Sequence, residues 1–224
     1  MNALPCSNIG LLLSNEEVRI SLGLRLGAPL VRPHRCVCGT EVEQDGHHGL
    51  SCRRRAGRHR RHALANDVIV RAIRSVDVHA ELEPPRLLRD DFKRPDGATL
   101  DPWKRGKYLV WDFTCPDTLA PSHLNRSSTA AGSAAVLAEE NKRVKYSQLV
   151  TSGPYFFVPI AIETLGAWGP AAQEICGEIG GRITRSTGDV RATAFLRQIL
   201  NIAIQKGNAA GVNGNHSLQH FDLI

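Results

Sequence analysis

The chain has 224 residues, 42% of them hydrophobic and 22% charged, the balance of a globular protein that buries a core and not of a disordered or fibrous one. No apolar run reaches the roughly 20 residues of a membrane span, and the first residues lack the basic and long apolar regions of a secretion signal, so an intracellular protein with no membrane partner is expected. The net charge of +6 is unevenly placed: Arg53, Arg54, Arg55, Arg58, Arg60 and Arg61 fall together, with no acid between Asp45 and Asp67. Such a block points to a polyanion partner.

In chain order, residues 1–33 read as an accessory segment with one helix, Asn15–Leu26. Ser14 is its N-cap, and Glu17 sits where a capping box needs it. Residues 34–52 are rich in Cys, His and Gly and too polar to hold together without a ligand. A larger domain is expected over residues 53–207. It opens with the arginines and a helix over 60–76, where Leu64, Val68 and Ala72 form one stripe beside Ile69, Ile73 and Val76. Residues 76–83 alternate as a strand, with Val76, Val78, Ala80 and Leu82 on one face, and Pro84 and Pro85 end it. A second strand is expected over 93–100. A third, Tyr108–Thr114, is apolar on both faces and so is central in the sheet. A long helix follows over 130–150, then a fourth strand over 155–163, whose Pro159 marks an edge or a bulge. Helices over 171–179 and 190–206 complete the domain, the second ended by Gly207, and residues 208–224 read as a flexible tail. This order gives an α/β fold, an α-β-β-β-α-β core in which helices flank a mixed sheet.

Of the six cysteines, Cys36, Cys38 and Cys52 cluster beside His47 and His48, whereas Cys6, Cys115 and Cys176 lie apart. In a reducing compartment such a cluster reads as metal binding before disulfide. Cys36, Cys38, His48 and Cys52 have the chemistry of a structural Zn²⁺ site with three sulfurs and one nitrogen, with His47 as the alternative to His48. The Cys-x-Cys spacing is tighter than usual.

A second constellation is carboxylate-based. Asp96 stands between Pro95 and Gly97, and Asp112 lies on the apolar third strand. A carboxylate on a buried strand is costly unless a cation or donor satisfies it. A shared Mg²⁺ or Mn²⁺ would do so. Lys142 and Lys145, on one face of the long helix, are placed to assist a metal-bound water or to neutralise a phosphate. Taken singly, each group has a plainer reading: a Pro-Asp-Gly turn, a salt-bridged acid, a solvated lysine face. The ordered combination points to phosphodiester hydrolysis. His62 and Asn66, one turn apart, either face a substrate or make a helix-start contact.

The stretches Arg94-Pro95-Asp96-Gly97, Trp111-Asp112-Phe113-Thr114, Lys142-Arg143-Val144-Lys145-Tyr146 and Pro159-Ile160-Ala161-Ile162-Glu163-Thr164-Leu165-Gly166, following a zinc knuckle, resemble a known family. They resemble the restriction-like endonuclease at the C-terminal end of site-specific non-LTR retrotransposon polyproteins, a member of the PD-(D/E)xK nuclease superfamily. The resemblance implies a restriction-endonuclease-like fold with a small N-terminal zinc knuckle, nuclear location and metal-dependent nicking of DNA. It makes Asp96 and Asp112 metal ligands, passes the lysine role to Lys142 or Lys145, and offers Glu83 as a further acid; Glu163, on the fourth strand, reads as a structural acid before a site acid. The arginine run would contact phosphates; whether RNA is bound as well stays open, and no small-molecule cofactor is expected. The departure is Thr114, where the usual motif has Lys, so a catalytically inactive, zinc-containing nucleic-acid-binding module is the alternative.

Overall fold

The computed structural model describes residues 11–87 and 94–214. The expectations for residues 1–10 with Cys6, for Lys93 at the start of the second strand, and for residues 215–224 of the tail fall outside the described residues. Helix α1 (Asn15–Leu26) forms as the sequence predicts, with both bonds of the Ser14–Glu17 capping box present and Gly27 left-handed at its end. A two-stranded hairpin, β1 (His34–Arg35) and β2 (Glu41–Val42), leads to the short α2 (His48–Ser51) and then to α3 (Gly57–Arg74).

Next come β3 (Ala80–Leu82), a 3-10 turn over Pro85–Leu87, β4 (Gly97–Thr99) and β5 (Tyr108–Thr114). The first strand is shorter than its alternation predicts because Asp77 is left-handed, at φ 56°, which breaks the extended run. After β5 come α4 (Pro121–Ser127), α5 (Ser133–Lys145), α6 (Ser147–Ser152), β6 (Tyr155–Ala161), α7 (Pro170–Thr187) and α8 (Ala192–Asn213). The single helix expected over 130–150 is thus two, divided at Tyr146. Likewise, α8 runs through Gly207 to Asn213, so residues 208–213 are helix and not tail. Gly207 serves close packing: a Cβ there would collide with Arg61 of α3.

The four larger strands form one mixed sheet in the order β3-β4-β5-β6, with β3, β4 and β5 antiparallel and β6 parallel to β5. Pro159 is therefore on an edge strand. On β5, alternate residues face opposite layers. Leu109, Trp111 and Phe113 pack with Ile69 and Ile73 of α3, Ile175 and Ile179 of α7, and Leu196, Leu200 and Ile204 of α8. Burying each such aliphatic side chain is worth about 1.5–3 kcal/mol. Val110 faces the other way, into a cluster with Leu87, Ala98 and Phe157, and Asp112 shares that face. A third cluster joins Ile20 and Leu24 of α1, Leu30, and Leu50 of α2 to Ala209 and Val212 of α8.

Candidate active site and metal centre

The antiparallel register sets Gly97 opposite Trp111, so the residues just before and just after, Asp96 and Asp112, lie side by side on neighbouring chains. The Asp96 amide donates to the Trp111 carbonyl at 3.0 Å, and its Oδ2 accepts from the Phe113 amide at 2.6 Å. The same Oδ2 lies 2.9 Å from Nε2 of His62, near the start of α3. One turn on, Asn66 sits 3.4 Å from His62 Nδ1 through its Nδ2, and its Oδ1 accepts from the Trp111 indole at 3.0 Å. The hydrogen bond to Asp96 raises the pKa of His62. Desolvation opposes it, the charges of Asp96 and Asp112 add to it, and Lys142 works against it. The four groups therefore share one electrostatic site.

Asp112 is only 3% exposed. Its Oδ1 meets Lys142 Nζ, and its Oδ2 accepts from the Tyr146 hydroxyl at 2.5 Å. Lys145 Nζ stands 3.7 Å from Oδ2 and 2.8 Å from the Tyr146 oxygen. The same hydroxyl is 3.1 Å from the Arg94 carbonyl, two residues before Asp96. Lys142 and Lys145 thus meet at Asp112, and the register sets Asp96 beside it. Tyr146 joins them unexpectedly, though its spacing of four from Lys142 puts both on one helical face.

Two further acids lie outside the pair. Glu83 has a left-handed backbone at φ 50°, and its carboxylate is 65% exposed and paired with Arg94. Only its amide reaches the site, bonding the Asp96 carbonyl at 2.7 Å. Glu163 is fully buried and accepts from the Ala134 and Ala135 amides at 3.0 and 3.2 Å. It caps the N-terminus of α5, where a carboxylate satisfies orphan donors and the helix dipole together. Glu139 does the same for α7, through the Ala171 and Ala172 amides at 3.0 Å each, and desolvation raises its pKa.

The second site is the knuckle. One donor atom from each of Cys36, Cys38, His48 and Cys52 lies within 4.8 Å of the others. The Cys36 and Cys52 sulfurs are 3.8 Å apart, and Cys38 Sγ is 3.2 Å from His48 Nε2. A tetrahedron built on Zn–S bonds of about 2.3 Å has edges near 3.8 Å, so the donor set fits Zn²⁺. Bonds from Thr40 lower the Cys38 thiol to about 6, toward the thiolate a metal requires. His47, the alternative ligand, instead places Nδ1 3.2 Å from Asp45.

The arginine run divides. Arg53, Arg54, Arg58 and Arg60 are exposed. Arg55 and Arg61, expected on phosphates, are 7% and 1% exposed and spend their donors on the protein. Arg55 bonds the Gly211 and Val212 carbonyls at 3.1 and 2.9 Å and the Cys36 sulfur at 3.3 Å. Arg61 bonds Asn208 Oδ1 at 3.0 Å and the Leu50 carbonyl. In the sequence the run reads as one block, because spacing alone does not reveal carbonyls at the distant end of α8.

No protein-family model matches this chain, and no curated protein is detectably similar to it.

Proposed function

We propose that the protein is a divalent-metal-dependent DNA endonuclease with a restriction-like core, of the kind carried at the C-terminal end of site-specific non-LTR retrotransposon polyproteins. The observation that carries this reading is the pairing of Asp96 and Asp112 on adjacent strands, with a lysine of the following helix on Asp112. The run α3-β3-β4-β5, then helices α4, α5 and α6, then β6 parallel to β5 in one mixed sheet, is compatible with that core. Two carboxylates beside the partly exposed His62 and Lys142 suit Mg²⁺ or Mn²⁺, which take one or two carboxylates and complete their shell with water and phosphate oxygens. Bound there, such an ion supplies Lewis acidity and an activated water.

The chain's own groups would do the rest. Asp96, steadied by His62 and the Phe113 amide, and Asp112 would hold the ion. A lysine amine at the end of α5, Lys142 or Lys145, would offset charge building on the phosphate. Arg58 and His62, four residues apart, share a face of α3, so Arg58 would lead the DNA backbone toward the site. Zn²⁺ in the knuckle would fix where those arginines stand. The natural setting of this activity is nuclear DNA.

The test is nicking of supercoiled plasmid by the full chain with Mg²⁺ or Mn²⁺. Wild type is expected to nick, and Asp96→Ala and Asp112→Ala to slow nicking at least a hundredfold. Nicking that survives Asp96→Ala overturns the proposal. A second reading, a module that binds nucleic acid without cutting, is favoured by Thr114 and by the fact that Lys142 and Tyr146 already neutralise Asp112 without a metal. It predicts salt-sensitive DNA binding with no nicking by wild type.

A further inference from the structure

Lys142, Lys145 and Tyr146 all reach Asp112 from the end of α5, but by different routes. Tyr146 is where α5 stops, at φ −106° and ψ 16°. The chain's departure from the helix there aims a buried phenol at the sheet, with its ring packed 4.7 Å from that of Phe157 on β6. A phenol has one hydrogen to give. Two acceptors compete for it, Asp112 Oδ2 at 2.5 Å and the Arg94 carbonyl at 3.1 Å. The ionised and closer oxygen takes it. Lys145 donates into the phenol oxygen at 2.8 Å, which holds its amine 3.7 Å from the carboxylate. Lys142 meets Oδ1 with nothing between.

The geometry points to Tyr146 as a positioning residue that fixes Asp112 Oδ2 and retains Lys145, leaving Lys142 as the lysine that acts on the substrate. The assignment rests on the nuclease reading above and deepens it: it says which amine serves in a chain that has Thr at position 114. It also gives the hydroxyl a structural task, because one phenol joins β5, the approach to β4 and the end of α5. Without the hydroxyl, Lys145 closes on Oδ2, so both carboxylate oxygens carry a lysine and Asp112 becomes a poorer ligand.

The experiment uses the full chain as wild type, Tyr146→Phe, Lys142→Gln and Lys145→Gln. Mn²⁺ binding is measured by calorimetry, single-turnover plasmid nicking at saturating Mn²⁺, and folding by circular dichroism. Tyr146→Phe is expected to weaken Mn²⁺ binding about tenfold, the equivalent of one charge-assisted hydrogen bond. Lys142→Gln is expected to slow nicking at least a hundredfold, in the range of a missing acid–base or charge-stabilising group, and Lys145→Gln by less than tenfold. Should Tyr146→Phe not fold, the two lysine variants decide, since both side chains are partly exposed. A Tyr146→Phe protein that binds Mn²⁺ as wild type does, or a Lys145→Gln protein as slow as Lys142→Gln, overturns the assignment while wild-type nicking keeps the nuclease reading. Wild-type protein that takes up no Mn²⁺ and nicks nothing removes the nuclease reading, and this assignment with it.

Discussion

The knuckle is suited to a metal and the sheet site is proposed to take one, yet they are built on opposite principles. In the knuckle, four ligand atoms face one another at tetrahedral spacing. In the sheet site both Asp112 oxygens are already occupied, by Lys142 and Tyr146, and Asp96 Oδ2 is held by His62 and a backbone amide. A cluster of sulfurs gains most from a permanent ion. A carboxylate balanced by its own cations stays stable without one and can exchange a weakly held ion with each substrate. The first arrangement suits architecture, and the second is what the proposed turnover would require.

The largest effect should come from emptying the knuckle. Stripping Zn²⁺ with a chelator, or Cys52→Ser, removes folding free energy outright. At about 2–4 °C per kcal/mol for a chain of this size, a loss of roughly 3 kcal/mol or more lowers Tm by about 10 °C. Calorimetry with metal analysis reads this out, and an unchanged Tm after complete zinc removal would erase the contrast. Stripping Mg²⁺ should leave Tm nearly untouched. Next, Glu163→Ala leaves two buried amides at the start of α5 unpartnered, at a cost of about 1–3 kcal/mol. Chemical denaturation should show that loss with Mn²⁺ affinity unchanged, because Glu163 spends its carboxylate on the amides that open α5.

The arginines sharpen the contrast further. Reversing the exposed Arg58 or Arg60 should weaken DNA binding and reduce the salt slope by about 0.9 for each phosphate no longer neutralised. Arg55→Met should instead lower stability, because its donors serve the Gly211 and Val212 carbonyls, and leave the slope intact. Filter binding across a salt series separates them. The smallest effect concerns pH. Asp96 raises the folded pKa of His62 above its ordinary value of 6.5. That stabilisation is full below 6.5 and is lost as pH climbs through the raised value, so Tm should drift down as pH rises above 6.5, and His62→Gln should flatten the drift.

Where a feature depends on neighbours in sequence, it is directly legible. The capping box delimits α1, and an apolar run interrupted only by Asp112 delimits β5. Asp96, Asp112, Lys142 and Lys145 can be grouped because strand pairing and helical period bring their positions together. The split of the long helix at Tyr146 is hidden, since good helix formers lie on both sides and the stop comes from a phenol's tertiary bonds. α4 escapes notice because its start signal, Pro121, is buried in a polar stretch. Arg55, Arg61, Glu139 and Glu163 find their partners at helix ends far along the chain, and no local pattern announces that.

The glycines of α8 have one more consequence. A Cβ at Gly207 would strike Arg61, and one at Gly211 would strike the backbone of Gly49 beside the knuckle. The bare strip between them lets α2 and the start of α3 lie flush on the final helix, so the change in composition near Arg53 is not a seam along which the molecule can be divided. A truncation starting at Arg53 would leave the strip uncovered and should precipitate or bind hydrophobic dye, whereas a protease that nicks between Val37 and Gly39 should leave the two pieces associated. The smallest portable form of this protein therefore includes α1, the knuckle and α8 together.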